Sequence, residues 1–177
     1  IELHDAHNIS GWRQSRGWAN QQKVFFVAEC SKAIDSISYH GQDSLYAHLH
    51  FETQESEEVL LKVALSAVNV EGAKMALQTE NSTWDFNDVA SQAEEAWNKE
   101  LKRITIEGGT PEQQRTFYTA LYHTMMAPAL FSDVNGNYRG ADCEVHHCDT
   151  PTYTIFSLWD TYRAKMPLLT LIDPERM

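Results

Sequence analysis

The apolar residues of this chain change their spacing near residue 72, and that change bounds what it can fold into. Before it, the pattern is that of extended chain. Val24–Ala28 is a continuous apolar run with strand chemistry, and Leu45, Ala47, Leu49 and Phe51 alternate with Tyr46, His48 and His50. Successive residues of a strand point to opposite faces, so the second stretch reads as a half-buried strand. His40–Asp43 is the turn between strands, and Glu55–Glu58 is an acidic loop. Val59–Val70 is a third run, long enough for a central strand in a two-sheet packing. His48 and His50 project to the same side and are read as facing solvent. A ligand pair at that spacing is geometrically possible, but nothing nearby in sequence completes the set.

From Gly72 onward the period is helical. Asp85–Arg103 places Phe86, Val89, Ala93, Ala96, Trp97 and Leu101 on one stripe, with acidic residues early and Lys102–Arg103 late, as the helix dipole favours. It reads as a linking helix. Ile104–Ile106 reads as a short strand closed by Gly108–Gly109. Thr110 then supplies an N-cap, Pro111 the first helical position and Gln113 the other half of a capping box. The stripe Phe117, Leu121 and Met125, with Tyr118 and Tyr122 alongside, is packing rather than a cofactor box, and Pro128 ends or bends the helix. Strands followed by helices give an α+β chain.

Residues 132–150 form a loop-rich stretch with three readings. Asn135–Gly136 between Val134 and Tyr138 is a hairpin signal, because both positions tolerate positive φ. Asp133, Asn135, Asn137 and Glu144 echo the oxygen spacing of a calcium loop, but Tyr138 stands where that loop needs glycine, so the hairpin is preferred. Cys143, His146, His147 and Cys148 are soft-metal ligand types without a zinc spacing. Cys143 and Cys148 are close enough in sequence to bridge across a loop, and Cys30 reads as a buried small hydrophobe.

With a net charge of −11 and a pI near 5.1, the chain lacks the clustered Lys and Arg that nucleic acid or an anionic membrane surface requires. No apolar run approaches the roughly 20 residues of a membrane span, and no targeting segment is visible at Ile1.

Phe156–Arg163, FSLWDTYR, places an aromatic face, a carboxylate and a guanidinium within two helical turns. A pyranose offers an apolar C–H face to a ring such as Trp159, and hydroxyls to Asp160 and Arg163. The plainer alternative is a core helix with an Asp160–Arg163 surface ion pair at i,i+3.

This run lies inside FYTALYHTMMAPALFSDVNGNYRGADCEVHHCDTPTYTIFSLWDTYRAKMPLLTLIDPER, from Phe117. Upstream stand Gly17-Trp18-Ala19, Phe25–Glu29 with Ser31-Lys32, Val63–Val68, Gly72-Ala73 and Trp97-Asn98. On these residues nearly the whole chain resembles the glycoside hydrolase family 92 α-mannosidases, where an N-terminal β-sandwich hands over to a C-terminal (α/α)6 barrel. The resemblance implies a β-sandwich portion over residues 1–80, a linking helix and short strand over 81–109, and the first barrel helices over 110–177. It implies an exo-acting, calcium-dependent, inverting hydrolase of terminal α-mannose on glycans, found in the periplasm or secreted. The catalytic carboxylates and the calcium ligands are expected beyond Met177, so no catalytic or metal residue is assigned here and the chain reads as an internal piece. Trp159 and Asp160 match a position that contacts the hydroxyls of the terminal mannose, and Arg163 is grouped with them as substrate-binding. His146 and His147 lie on a loop expected near the sugar pocket, with no role assigned. Two other readings stay open: a non-catalytic carbohydrate-binding module, and a structural metal domain built on Cys143–Cys148.

Overall fold

The computed structural model describes residues 1–17, 19–42, 46–155 and 157–177. Trp18, the turn residue Asp43, Leu45 of the alternating strand and Phe156 lie outside the described residues. The fold is mixed α+β, with two compact units: Ile1–Trp84 with Phe131–Thr152, and Asp85–Leu130 with Tyr153–Met177.

In the first unit, β1 (Glu2–Leu3), β2 (Asn8–Ser15), β3 (Gln22–Cys30) and β6 (Leu61–Ser66) form an antiparallel sheet in the order β1-β2-β3-β6. Between β3 and β6 the chain makes a separate antiparallel pair, β4 (Ser36–His40) and β5 (Tyr46–His50). The apolar run in β3 is explained by burial on both faces. Val27 packs with Ala73 and Leu77 of helix α1 (Val70–Glu80), while Ala28 and Cys30 join Ile9 and Ile34, with Leu49 and Phe51 against them. Cys30 is the buried small hydrophobe expected of it. In β5, Ala47 and Leu49 are half-buried while Tyr46, His48 and His50 are exposed, as the alternation requires.

The run Val59–Val70 is not a central strand. Only Leu61–Ser66 is extended, and it lies at the sheet edge. The chain turns at Ser66, whose Oγ accepts from the Val68 and Asn69 N–H groups, and Asn69 then caps α1 through the Gly72 N–H at 2.8 Å. Lys62 points inward to Glu29 (3.0 Å) and over the Trp84 ring, leaving Leu61, Val63 and Leu65 between 51% and 62% exposed.

Asn135–Gly136 is a turn, but not the hairpin turn. Gly136, at φ 80°, donates to the Asp133 carbonyl and leads into β7 (Asn137–Arg139). β7 pairs with β8 (Val145–His147) around a loop at Gly140–Glu144. The signal marks the start of the first strand because the Asp133 N–H already bonds the Asn137 carbonyl there. Two side chains tie this hairpin to the β6–α1 turn. Ser66 Oγ donates to Asp133 Oδ2 (2.7 Å), and Arg139 donates to the carbonyls of Ala67 (2.8 Å), Val68 (2.9 Å) and Cys143 (2.7 Å).

In the second unit, α2 (Phe86–Leu101) starts at Asp85, which accepts from Asn87 and Asp88, and α3 (Pro111–Met125) starts with the predicted Thr110–Gln113 capping box. Trp97 meets Tyr122 edge-on at 4.5 Å, and Leu121 is buried as its stripe position implies. Phe86 nevertheless stays 74% exposed, so the α2 stripe is only partly covered. Ile104–Ile106 forms no strand, because it finds no ladder partner among the described residues. After a link through Leu130, which bridges Tyr153, come α4 (Leu158–Thr161) and α5 (Lys165–Ile172). Glu100, Arg103, Asp173 and Arg176 close a ring of ion pairs between 2.7 and 3.3 Å, and Arg103 also donates to the Ile172 carbonyl. Asp173 is buried, and both arginines pair with its carboxylate.

Three outcomes follow for the complete gene product. A Cβ at Gly72 would land on Asp133 Oδ2 and Ser66 Oγ, so Gly72→Ala should cost about 1–3 kcal/mol in urea unfolding. Arg103→Met should cost about 1.5–3 kcal/mol by removing charge-assisted bonds to Glu100 and Asp173. Burial raises the Asp133 carboxyl above its ordinary value, against the Ser66 hydrogen bond that lowers it. A raised folded-state carboxyl pKa means that the unfolded chain holds fewer protons in that interval. Its contribution is therefore full below the ordinary carboxyl range and is lost as pH rises through the elevated value. Asp133→Asn should thus gain urea midpoint relative to wild type as pH rises across that interval; a flat or falling difference would contradict the elevated carboxyl.

Candidate functional site

Of the three residues that sequence chemistry groups as a sugar edge, Trp159 and Asp160 come from one short helix and Arg163 from the turn that follows it. Helix α4 is a single turn, entered through Ser157, whose side chain makes no cap bond. Thr161 is buried, its hydroxyl donating to the Ser157 carbonyl at 2.9 Å, and so it sets which side of the turn faces inward. The opposite side is presented to solvent: Trp159 is 78% exposed, and Asp160 and Arg163 are exposed.

The Asp160–Arg163 ion pair does not form. The Arg163 guanidinium donates instead from Nε to the Tyr162 hydroxyl at 2.7 Å, and lies 5.4 Å from the centre of the Tyr162 ring. Tyr162 is therefore a member of this edge that sequence reasoning left unassigned, although it stands inside the same FSLWDTYR run. Asp160 makes no hydrogen bond or ion pair with a described residue, so both its oxygens can accept. Arg163 has one N–H engaged and keeps its terminal donors. The edge thus combines an open indole face, a carboxylate acceptor and an oriented guanidinium, which match an apolar sugar face and its hydroxyls.

The histidine and cysteine positions of the hairpin are not brought into a metal set. His146 Nε2 bonds Asp142 Oδ2 at 2.8 Å, while His147, the next residue along the strand, bonds Asn137 (3.1 Å) and Asp149 (3.2 Å). The Glu144 N–H first, and His146 second, hold the Asp142 carboxyl below its ordinary range. Cys143 and Cys148 are unbridged. Thr150 holds the Cys148 thiol below its usual value through hydrogen bonds from its hydroxyl and N–H. Among the described residues no three His, Cys, Asp or Glu side chains converge as a metal site.

Residues 72–177 match the sequence profile of the glycosyl hydrolase family 92 catalytic domain. This chain belongs to glycosyl hydrolase family 92. The family-matched stretch contains α4 with Trp159 and Asp160, Arg163 after it, and the β7–β8 hairpin. A family 92 α-mannosidase from Bacteroides thetaiotaomicron has a similar structure, with a TM-score of 0.83 at 30% identity over 95% of this chain and 25% of that chain. A family 92 inverting mannosidase from Bacteroides thetaiotaomicron VPI-5482 gives a TM-score of 0.82 at 29% identity, over 93% of this chain and 25% of that one. An uncharacterized secreted glycosidase of Arthroderma benhamiae is 28% identical over 123 residues, 66% of this chain and 15% of that protein. This family 92 chain thus spans about a quarter of the solved relatives.

Proposed function

We propose that this chain is a piece of an exo-acting, calcium-dependent, inverting α-mannosidase that removes terminal α-mannose from glycans. The observation that carries the reading is the family 92 catalytic-domain match over residues 72–177. Two solved relatives, named as an α-mannosidase and as an inverting mannosidase, support it. The α-mannosidase relative also has a structure in complex with mannoimidazole. The same reading takes residues 1–80 as part of a β-sandwich, 81–109 as the link, and 110–177 as the opening helices of an (α/α)6 barrel. The exposed row Leu61, Val63 and Leu65 supports a larger protein, since so regular an apolar row on an edge strand is a surface for further chain to cover. A periplasmic or secreted location is proposed beside it, supported by the name of the fungal relative. No helix of the described residues is long and apolar enough to cross a membrane.

In this reading Trp159 packs on the apolar face of the terminal mannose, Asp160 accepts from its hydroxyls, and Arg163, held by Tyr162, donates to a ring substituent. These contacts orient the sugar and strengthen as its ring flattens toward the oxocarbenium-like transition state. Inversion requires a carboxylic acid on the leaving oxygen and a carboxylate base on water from the opposite face. Those groups, and the calcium ligands, are placed outside residues 1–177.

The test is mannose release from α-1,2-, α-1,3- and α-1,6-mannobiose by the complete gene product, with the anomer followed by NMR, with and without a calcium chelator. Inverted product and chelator sensitivity are expected. Asp160→Ala should lower kcat/KM by roughly a hundredfold, equivalent to about 3 kcal/mol. Unchanged kinetics would remove Asp160 from the substrate contacts. Glycan binding without hydrolysis would favour the carbohydrate-binding module.

A further inference from the structure

The β4–β5 pair carries a feature that the mannosidase reading does not use. Register places Ser38 opposite His48, Ser36 opposite His50 and His40 opposite Tyr46. Alternation puts these six side chains on one face, and all three histidines on it are exposed. In sequence the notable imidazoles are His48 and His50, two apart on one strand. The fold re-sorts them. His50 Nε2 pairs with Ser38 Oγ at 3.3 Å, while His48 meets His40 across the ladder, with ring centres 4.6 Å apart and planes tilted by 42°.

We propose that His40 and His48 form a two-imidazole site for a borderline divalent cation, zinc in the first instance. With Zn–N near 2.0–2.1 Å, and a nitrogen about 1.1 Å from its ring centre, each ring centre sits about 3.2 Å from a bound ion. Two such arms meeting at about 90–110° put the ring centres about 4.5–5.2 Å apart. The observed 4.6 Å falls in that interval. The tilt matters as much. Imidazole lone pairs lie in the ring plane, and two parallel stacked planes share no point where one ion could take both. A tilt of 42° does not impose that parallel stacking. Solvent exposure leaves room for waters to complete the coordination shell.

Imidazole selects zinc, nickel and copper over calcium, with copper tightest in the divalent series. The site is thus chemically separate from any calcium centre of the complete enzyme. It depends on neither the sugar edge nor the mannosidase assignment.

Zinc is titrated by calorimetry into the complete gene product with calcium in excess, using wild type, His40→Ala, His48→Phe and His50→Ala. His48→Phe keeps a ring against His40 but removes the ligand, so it separates coordination from stacking. Removal of one zinc-binding event, or at least a tenfold weaker one, is expected in His40→Ala and His48→Phe, with under twofold change in His50→Ala. In the wild type, zinc should shift the imidazole NMR resonances of His40 and His48 together, a measurement that needs no variant to fold. An unchanged titration in His48→Phe, an equal loss in His50→Ala, or unmoved His40 and His48 resonances would overturn the proposal.

Discussion

The first unit depends on the turn between β6 and α1. There Ser66 Oγ serves three groups at once: it accepts from the N–H groups of Val68 and Asn69 and donates to Asp133, 67 residues further along the chain. Arg139 occupies the Ala67 and Val68 carbonyls of the same turn. The sheet edge, the start of the helix and the returning hairpin are therefore held through one set of backbone polar groups, which burial would otherwise leave unpaired. Gly72 is part of this arrangement because any side chain there would occupy the space of the Asp133 carboxylate. The partial desolvation that raises the Asp133 carboxyl accompanies that close approach.

The exposed edge at Trp159, Asp160 and Arg163 is built differently. Its polar groups are solvated rather than buried, and buried Thr161 anchors the turn that carries them. An exposed carboxylate and indole cost little to display, and they become valuable when a ligand excludes water from them. The Tyr162 hydroxyl restricts the guanidinium of Arg163 before any ligand arrives, which reduces the ordering left to binding. Further along the same unit, Asp173 and its two arginines join the end of α5 to the end of α2.

Local chemistry was readable wherever a short segment carries its own reason. The Thr110–Gln113 box, the alternation of Ala47 to His50 and the burial of Cys30 all rest on neighbours in sequence. The readings that failed each needed a distant partner. Ile104–Ile106 has strand composition but no ladder, and Val59–Val70 has central-strand length but ends at an edge because Ser66 starts a turn. Asn135–Gly136 turns the chain as its residues dictate, but the strand whose pairing decides which turn closes a hairpin, Val145–His147, lies further along the chain.

By itself, the sequence determined the α+β class, the membership in family 92 and the grouping of Trp159, Asp160 and Arg163 in one run, because periodicity, capping and family motifs are properties of contiguous residues. Only the tertiary structure decided that Arg163 pairs with Tyr162 rather than Asp160, that Cys143 and Cys148 stay apart, and that His48 faces His40 rather than His50. Those outcomes turn on register and side-chain direction. A shift of one residue in strand pairing would change every one of the cross-strand neighbours without altering the composition of either strand.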